Sequence, residues 1–406
     1  MTTDIATPLD LPCGARLSNR LCKAALTEGL ADPMNRATDK LERLYRLWSE
    51  GGAGLVLTGN VQVDRTHLER PGNVVIDGNG GIEALKAYAK AGTVAGNHLW
   101  MQINHPGRQA PISVNRNPLA PSAVPLKVAG NNHGDPRAAT EEEILDVIRR
   151  FAYVATVARE TGFTGVQIHG AHGYLISQFL SPIANQRTDA WGGSVANRAR
   201  LVLEIAKAIR TAVGADFPIG LKLNSSDFQQ GGFSNDDAIA VVQLLNGAGI
   251  DLLELSGGTY EQPVMIGAGD DKAENAPATE STRQREAYFL NYANLIKPHA
   301  RMPVMVTGGF RTKRGMNEAL ASGGADVVGL GRPMCVDTDL PRRLLSGEID
   351  RVPTWETDLR LAPNALGPEV GADMRRQIEV WGKQGWFCLQ LILIGEGKGA
   401  NRELVD

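Results

Sequence analysis

Eight short runs of β-branched and aliphatic residues recur along the chain, separated by amphipathic stretches of helical length, and this alternation restricts the fold more than any other feature. The runs lie at Leu21–Ala25, Leu55–Gly59, Leu99–Ile103, Gly165–Ile168, Ile219–Leu223, Leu252–Leu255, Val304–Val306 and Val327–Leu330. Between them helices are expected at Asp39–Glu50, Gly81–Ala95, Thr140–Thr161, Ala196–Val213, Asp236–Ala248, Arg285–Lys297 and Lys313–Ser322. Thr140 and Glu143 have the spacing of a capping box. Eight strands with intervening helices fit a closed (β/α)8 TIM barrel better than an open sheet. An open doubly wound fold would carry G-x-G-x-x-G straight after its first strand, and Ala25-Leu26-Thr27-Glu28-Gly29 does not supply it.

A length of 406 residues suits one barrel with extensions, although length alone also allows two medium domains. The expected division is a barrel with an N-terminal capping segment over 1–350 and a C-terminal helical extension over 351–406, with Trp381, Trp386 and Phe387 on a helix. From His105 to Ala139 the chain is rich in Pro, Asn and Gly, which predicts a loop folded over one end of the barrel. It follows the C-terminal end of a strand, the face where such barrels place their chemistry.

Apolar residues make up 43% and charged residues 21%, as in a protein with a sizeable core. The net charge of −3 comes from interspersed signs, so no nucleic-acid partner is expected. The start, Met1 to Cys13, lacks the basic and apolar regions of a signal peptide. The most apolar window, Trp386 to Ile394, falls far short of the roughly 20 residues that cross a bilayer. Cys13, Cys22, Cys335 and Cys388 stand apart with no C-x-x-C pair, which suits a reducing cytoplasm and offers no zinc or iron–sulfur cluster. Monomer and homo-oligomer both stay open.

The fourth run ends in His169-Gly-Ala-His172-Gly-Tyr174. If the backbone turns at Gly170 and Gly173, the two imidazoles can face one side, offer two N–H donors to a single oxygen and leave the phenol to deliver a proton. Competing readings are core packing, a solvated turn, or zinc binding, which needs a further ligand that the spacing does not reveal. Gln178 to Arg198 is dense in loop-locking side chains, and Arg187 with Asp189 reads as a structural ion pair. After the seventh and eighth runs, Thr307-Gly308-Gly309-Phe310 and Gly329-Leu330-Gly331-Arg332 bring amides and a guanidinium to adjoining loops, the usual phosphate position of these barrels. Two tight turns with a solvated Arg332 are the plain alternative. Lys222 and Gln102 sit within apolar strands and need partners if buried; Lys222 could face an anion and Gln102 an amide-like edge.

These residues carry a resemblance. The run from Val166 to Arg200, with Gln102-Ile-Asn-His105-Pro-Gly-Arg108, Asn19-Arg20 through Glu28, Leu221-Lys222-Leu223-Asn224 and the two glycine loops, is similar to the Old Yellow Enzyme family of FMN-dependent ene-reductases over almost the whole barrel. The resemblance implies that Ala25, Leu26 and Thr27 lie along the flavin ring, that Gly59 and Gln102 contact its pyrimidine side, and that Lys222 stands near N1 and O2, where it would stabilise the anionic reduced form. It implies that Gly308, Gly309, Gly331 and Arg332 hold the phosphate. His169 and His172 would bind the substrate carbonyl and Tyr174 would donate a proton. The implied reaction passes hydride from NADPH or NADH, through flavin N5, to the β-carbon of an α,β-unsaturated carbonyl or nitro compound, with the two substrates taking turns in one site. No cysteine cluster follows the barrel, so the longer dienoyl-CoA reductase architecture is not expected. Other readings are a biosynthetic redox enzyme or isomerase for one metabolite, a flavin-binding protein without catalysis, and a zinc hydrolase built on His169 and His172.

Overall fold

Strand formation follows the apolar runs in the computed structural model, which describes residues 3–128, 132–261, 290–357, 359 and 370–403. The barrel strands are β1 Leu21–Lys23, β2 Leu55–Gln62, β3 His98–Asn104, β4 Gly165–Gly170, β5 Ile219–Asn224, β6 Leu252–Ser256, β7 Val304–Thr307 and β8 Val327–Leu330. Each pairs in parallel with the next, and β8 returns to β1 through Val328↔Leu21, Gly329↔Cys22 and Leu330↔Lys23. Closure removes the unpaired edges that an open sheet would expose. β2 runs beyond the expected Gly59 because its register with β3 shifts between Leu57 and Asn60, a bulge that lets the strand continue to Gln62.

The helices are α1 Asp39–Glu50, α2 Ile82–Ala91, α3 Glu141–Glu160, α4 Leu175–Leu180, α5 Val195–Val213, α6 Asn235–Leu245, α7 Lys313–Ala321, α8 Leu340–Ser346 and α9 Ala372–Gly395. Their inner faces are the apolar stripes of the sequence; α1 buries Leu41, Leu44, Tyr45 and Trp48, each contributing about 2 kcal/mol by leaving water. The capping box forms on α3, where Thr140 accepts from the Glu143 amide at 3.2 Å and the Glu143 carboxylate accepts from the Thr140 amide at 2.9 Å. α2 ends at Ala91, earlier than expected: Gly92 still donates its amide to the Tyr88 carbonyl, but its ψ of 0° leaves the helical range. α4, too short to show a helical period, was not anticipated. Of the helix expected at Arg285–Lys297, residues 285–289 lie outside the described residues and 290–296 are helical.

At the bottom of the barrel, an antiparallel pair, Leu9–Asp10 with Arg16–Leu17, places Leu11 and Leu17 against Leu55, Trp100 and Leu252 and so plugs that end. At the opposite end lies the long loop after β3. One guanidinium ties it at two points: Arg187 Nη1 donates to Pro121 O at 3.0 Å and to Ala139 O at 2.7 Å, while Nη2 pairs with Asp189 at 2.5 Å. α9 lies on α1, tied by Lys40–Glu396 at 3.0 Å and by Arg43 donating to Gly395 O. Among the described residues no helix is long and apolar enough to cross a membrane.

Candidate active site

Parallel strands leave their C-terminal ends on one face, and a cavity opens there whose walls come from β2 to β8 and from the segment that follows β1. Tyr174 caps α4, and the segment from β4 to it makes a tight turn. His172 holds a left-handed backbone (φ 61°), with its amide donating to Asn224 Oδ1 at 3.1 Å. A side chain in that conformation costs free energy that the fold must offset. The consequence is proximity: ring centroids of His169 and His172 are 5.1 Å apart, and Tyr174 is 4.8 Å from His169. His172 Nε2 is 2.8 Å from Ser256 Oγ, and Tyr174 shares a 2.9 Å hydrogen bond with the hydroxyl of Tyr260.

Burial decides the protonation of all three groups. Desolvation, followed by the nearby Lys222 ammonium, pushes both imidazoles well below the usual histidine range, so they are neutral and each carries one N–H. Desolvation and then the Glu69 carboxylate push the Tyr174 phenol well above its usual value, so it keeps its proton. Two neutral donors and one neutral acid therefore face one space. Among the described residues no Asp, Glu, Cys or further His joins His169 and His172 within ligand distance. The triad that does assemble is Asp64, His67 and His105. Its His67 is spoken for: Nδ1 bonds Asp64 at 3.0 Å and Nε2 accepts from the Leu119 amide at 3.0 Å, which pins the long loop.

Ala25, Leu26 and Thr27, leaving β1, form a largely apolar wall of the cavity. Thr27 donates its hydroxyl proton to Glu69 Oε2 at 2.9 Å, and Asn60 donates to the same oxygen. Gly59 does not line the cavity. It stands behind that wall, with its amide on Glu28 Oε1 at 3.0 Å, and a Cβ there would lie 2.5 Å from Leu26 O and 2.8 Å from Thr27 Cα. Its lack of a side chain thus serves the approach of the wall, and the neighbouring Asn60 reaches the cavity.

Gln102 and Lys222 both line the floor, 2% and 4% exposed. The far end is the glycine end. Gly308 and Gly309 have successive positive φ of 105° and 82°, a backbone path that favours glycine and brings the main chain to the cavity without intervening side chains. A Cβ on Gly331 would meet nothing nearer than Leu26 Cδ2 at 4.0 Å, so that backbone borders open space, and Arg332 lines the same end. Among the described residues, His169 Nδ1 and Thr307 Oγ1 are buried on this cavity without a hydrogen-bond partner. Buried polar atoms without partners are costly, and both point to a ligand that completes them. An elongated molecule with a flat ring against Ala25 and Leu26, a polar ring edge at Gln102 and Lys222, and an anionic tail at the glycine loops fits this donor set.

Other lining residues come from beyond the strand ends. Glu69 and Arg70, from the loop after β2, escaped the sequence reading; Tyr260 follows β6, and α9 supplies Trp381, Gln384, Cys388 and Leu391. The spacing of those four on α9 is that of one helical face, a signal the sequence did contain. Arg70 joins the two sides, lying 3.3 Å from Glu69 Oε1 and 3.4 Å from Cys388 Sγ.

Comparison with known proteins identifies the family. Residues 4–350 match the model of the NADH:flavin oxidoreductase / NADH oxidase family. The chain is 41% identical over 354 residues to NADH-dependent flavin oxidoreductase iliE of Neonectria sp. (strain DH2), covering 82% of this chain and 46% of that one. It is 38% identical over 361 residues to NADH-dependent flavin oxidoreductase iccE of Talaromyces variabilis, covering 84% and 86%. Among solved structures, an Old Yellow Enzyme homologue from Zymomonas mobilis superposes with a TM-score of 0.72 at 25% identity, covering 89% of this chain and 98% of that one. A 2-naphthoyl-CoA reductase complex gives 0.77 at 27% identity, covering 86% and 53%. The chain thus spans about half the length of some relatives and most of the length of others.

Proposed function

Because the chain belongs to the NADH:flavin oxidoreductase / NADH oxidase family, we propose that its cavity holds FMN and reduces an activated carbon–carbon double bond at the expense of NADH or NADPH. The observation that carries this reading is the meeting, in one cavity, of two neutral imidazoles and a neutral phenol with a glycine cradle suited to phosphate. When bound, FMN supplies the centre that takes hydride from the coenzyme and gives it to the substrate.

The chain's own residues do the rest. Gly308, Gly309, Gly331 and Arg332 would hold the phosphate, and Ala25, Leu26 and Thr27 the ring face. His169 and His172 would donate two hydrogen bonds to the carbonyl or nitro oxygen of the substrate. That pull makes the β-carbon electrophilic and contributes on the order of 3 kcal/mol to lowering the barrier. Tyr174 would then protonate the α-carbon from its hydroxyl, which stays protonated until that moment because burial and Glu69 disfavour its anion. The Tyr260 hydroxyl, 2.9 Å away, is placed to donate to the oxygen that loses the proton.

The test is direct. Purified protein should be yellow, should bleach with NADH or NADPH in the absence of oxygen, and should regain colour when an enone is added. Tyr174→Phe should bleach normally but regain colour at least roughly 100-fold more slowly. A protein that takes up no FMN, or a Tyr174→Phe variant that reoxidises at the parent's rate, would overturn the assignment.

A further inference from the structure

Beneath the cavity floor, side chains from four adjoining strands form one polar row. Gln102 Nε2 on β3 donates to Gln167 Oε1 on β4 at 2.7 Å, and Gln167 Nε2 donates to Glu254 Oε2 on β6 at 2.7 Å. Lys222 Nζ on β5 lies 2.9 Å from the other oxygen of Glu254. Gln102 and Lys222 line the cavity, whereas Gln167 and Glu254 are 0% exposed inside the barrel. No motif singled out either of the buried pair.

A primary amide fills its space equally well with oxygen or nitrogen forward, so packing alone leaves the polarity of Gln102 and Gln167 undetermined. A carboxylate removes that freedom, because an ionised one can only accept. Gln167 must therefore turn its NH2 toward Glu254, which turns its carbonyl toward Gln102. Gln102 must in turn direct its NH2 along the row, and its carbonyl oxygen remains as the acceptor it can present to a ligand. We propose that Glu254 is a positioning residue that sets, through Gln167, the hydrogen-bond polarity of the cavity floor: an acceptor from Gln102 beside the ammonium donor of Lys222.

The same carboxylate is the counter-ion of Lys222, so the floor holds its cation without leaving a buried charge unpaired. An acceptor beside a cationic donor matches a ring edge in which an N–H adjoins a carbonyl, and the pyrimidine edge of a flavin has that pattern. The inference thus rests on the flavin reading given above. Glu254 touches neither ring nor substrate in this arrangement; it acts by deciding which way two amides face.

Glu254→Gln preserves size but can donate, so the row can reverse and bring the NH2 of Gln102 forward, where it would oppose a ring N–H. The experiment equilibrates full-length holoprotein with an equimolar excess of FMN and N3-methyl-FMN and measures the ratio of the two retained. The methyl group removes the N–H that the Gln102 carbonyl would accept. The parent should prefer FMN by a factor roughly tenfold larger than Glu254→Gln does. Gln167→Leu cuts the row while sparing the Lys222–Glu254 pair, and should lose the preference to a similar degree even if Glu254→Gln folds poorly. General damage to the site would weaken both flavins alike and leave the ratio unchanged, so an unchanged ratio in the folded variants overturns the proposal. A parent that retains neither flavin overturns the flavin reading itself, and this inference with it.

Discussion

Lys23 is a fully buried cation on β1, immediately ahead of the cavity wall. Its Nζ donates to Leu57 O at 2.8 Å and stands 3.9 Å from the centroid of the Trp48 ring. Desolvation outweighs the attraction of Glu28 and lowers its pKa from 10.5 to about 8. That drop of about 2.5 units is a folding penalty of about 3 kcal/mol for carrying the charge inside. Below pH 8 both folded and unfolded chains hold the proton and the penalty is complete. Between pH 8 and 10.5 the unfolded chain binds more protons than the folded one, so this group makes stability rise with pH, and above 10.5 its penalty is gone. Lys23→Met should therefore change stability relative to the parent by an amount that depends on pH. Whatever packing and hydrogen bonding the substitution loses is common to both pH values, so the change in the difference isolates the charge. Urea unfolding of parent and variant should show the variant's relative stability falling by about 2 to 3 kcal/mol between pH 7 and pH 10. A difference that stays constant, or that grows toward pH 10, would refute the claim that burial of this charge destabilises the fold.

Other substitutions probe the site from separate directions. Gly59→Ala should push Leu26 and Thr27 into the cavity and weaken FMN binding by roughly tenfold or more with the secondary structure intact, as read by flavin fluorescence and circular dichroism; unchanged affinity would show that the wall is not held from behind. Trp381, half-exposed at the mouth with its ring 6.2 Å from Tyr260, should act on bulky substrates. Trp381→Ala is expected to raise KM for aryl-substituted enones by roughly tenfold while leaving cyclohexenone nearly unaffected, and equal effects on both would exclude it as a wall. Because His169 and His172 remain neutral well below the usual histidine range, substrate affinity should be flat from pH 6 to 8; a fall in affinity centred near 6.5 would contradict neutral donors.

What could be read from the sequence was what lies contiguous along it. His169, His172 and Tyr174 share one strand end and one glycine-eased turn, so their convergence follows from local geometry once a barrel is inferred. Strands and helices follow their apolar runs, whereas their ends move where a bulge or a change of backbone angle intervenes, as at Gln62 and Gly92. Contacts made only by the closed barrel were hidden. Glu254 looks like any charged residue in a strand until closure shows that it points inward to Gln167 and Lys222. Tyr260 meets Tyr174 across 86 residues of sequence. Gly59 is hard to read for a different reason: a glycine demanded by a neighbouring backbone is indistinguishable, in sequence, from one demanded by a ligand.

The grip of Arg187 on the long loop bears on how far that segment can move. One side chain clasps Pro121 near the middle of that segment and Ala139 at its end. Swinging the loop aside would break two charge-assisted bonds, at about 1.5 to 3 kcal/mol each. The backbone at those two points therefore behaves as a fixed sill rather than a shutter.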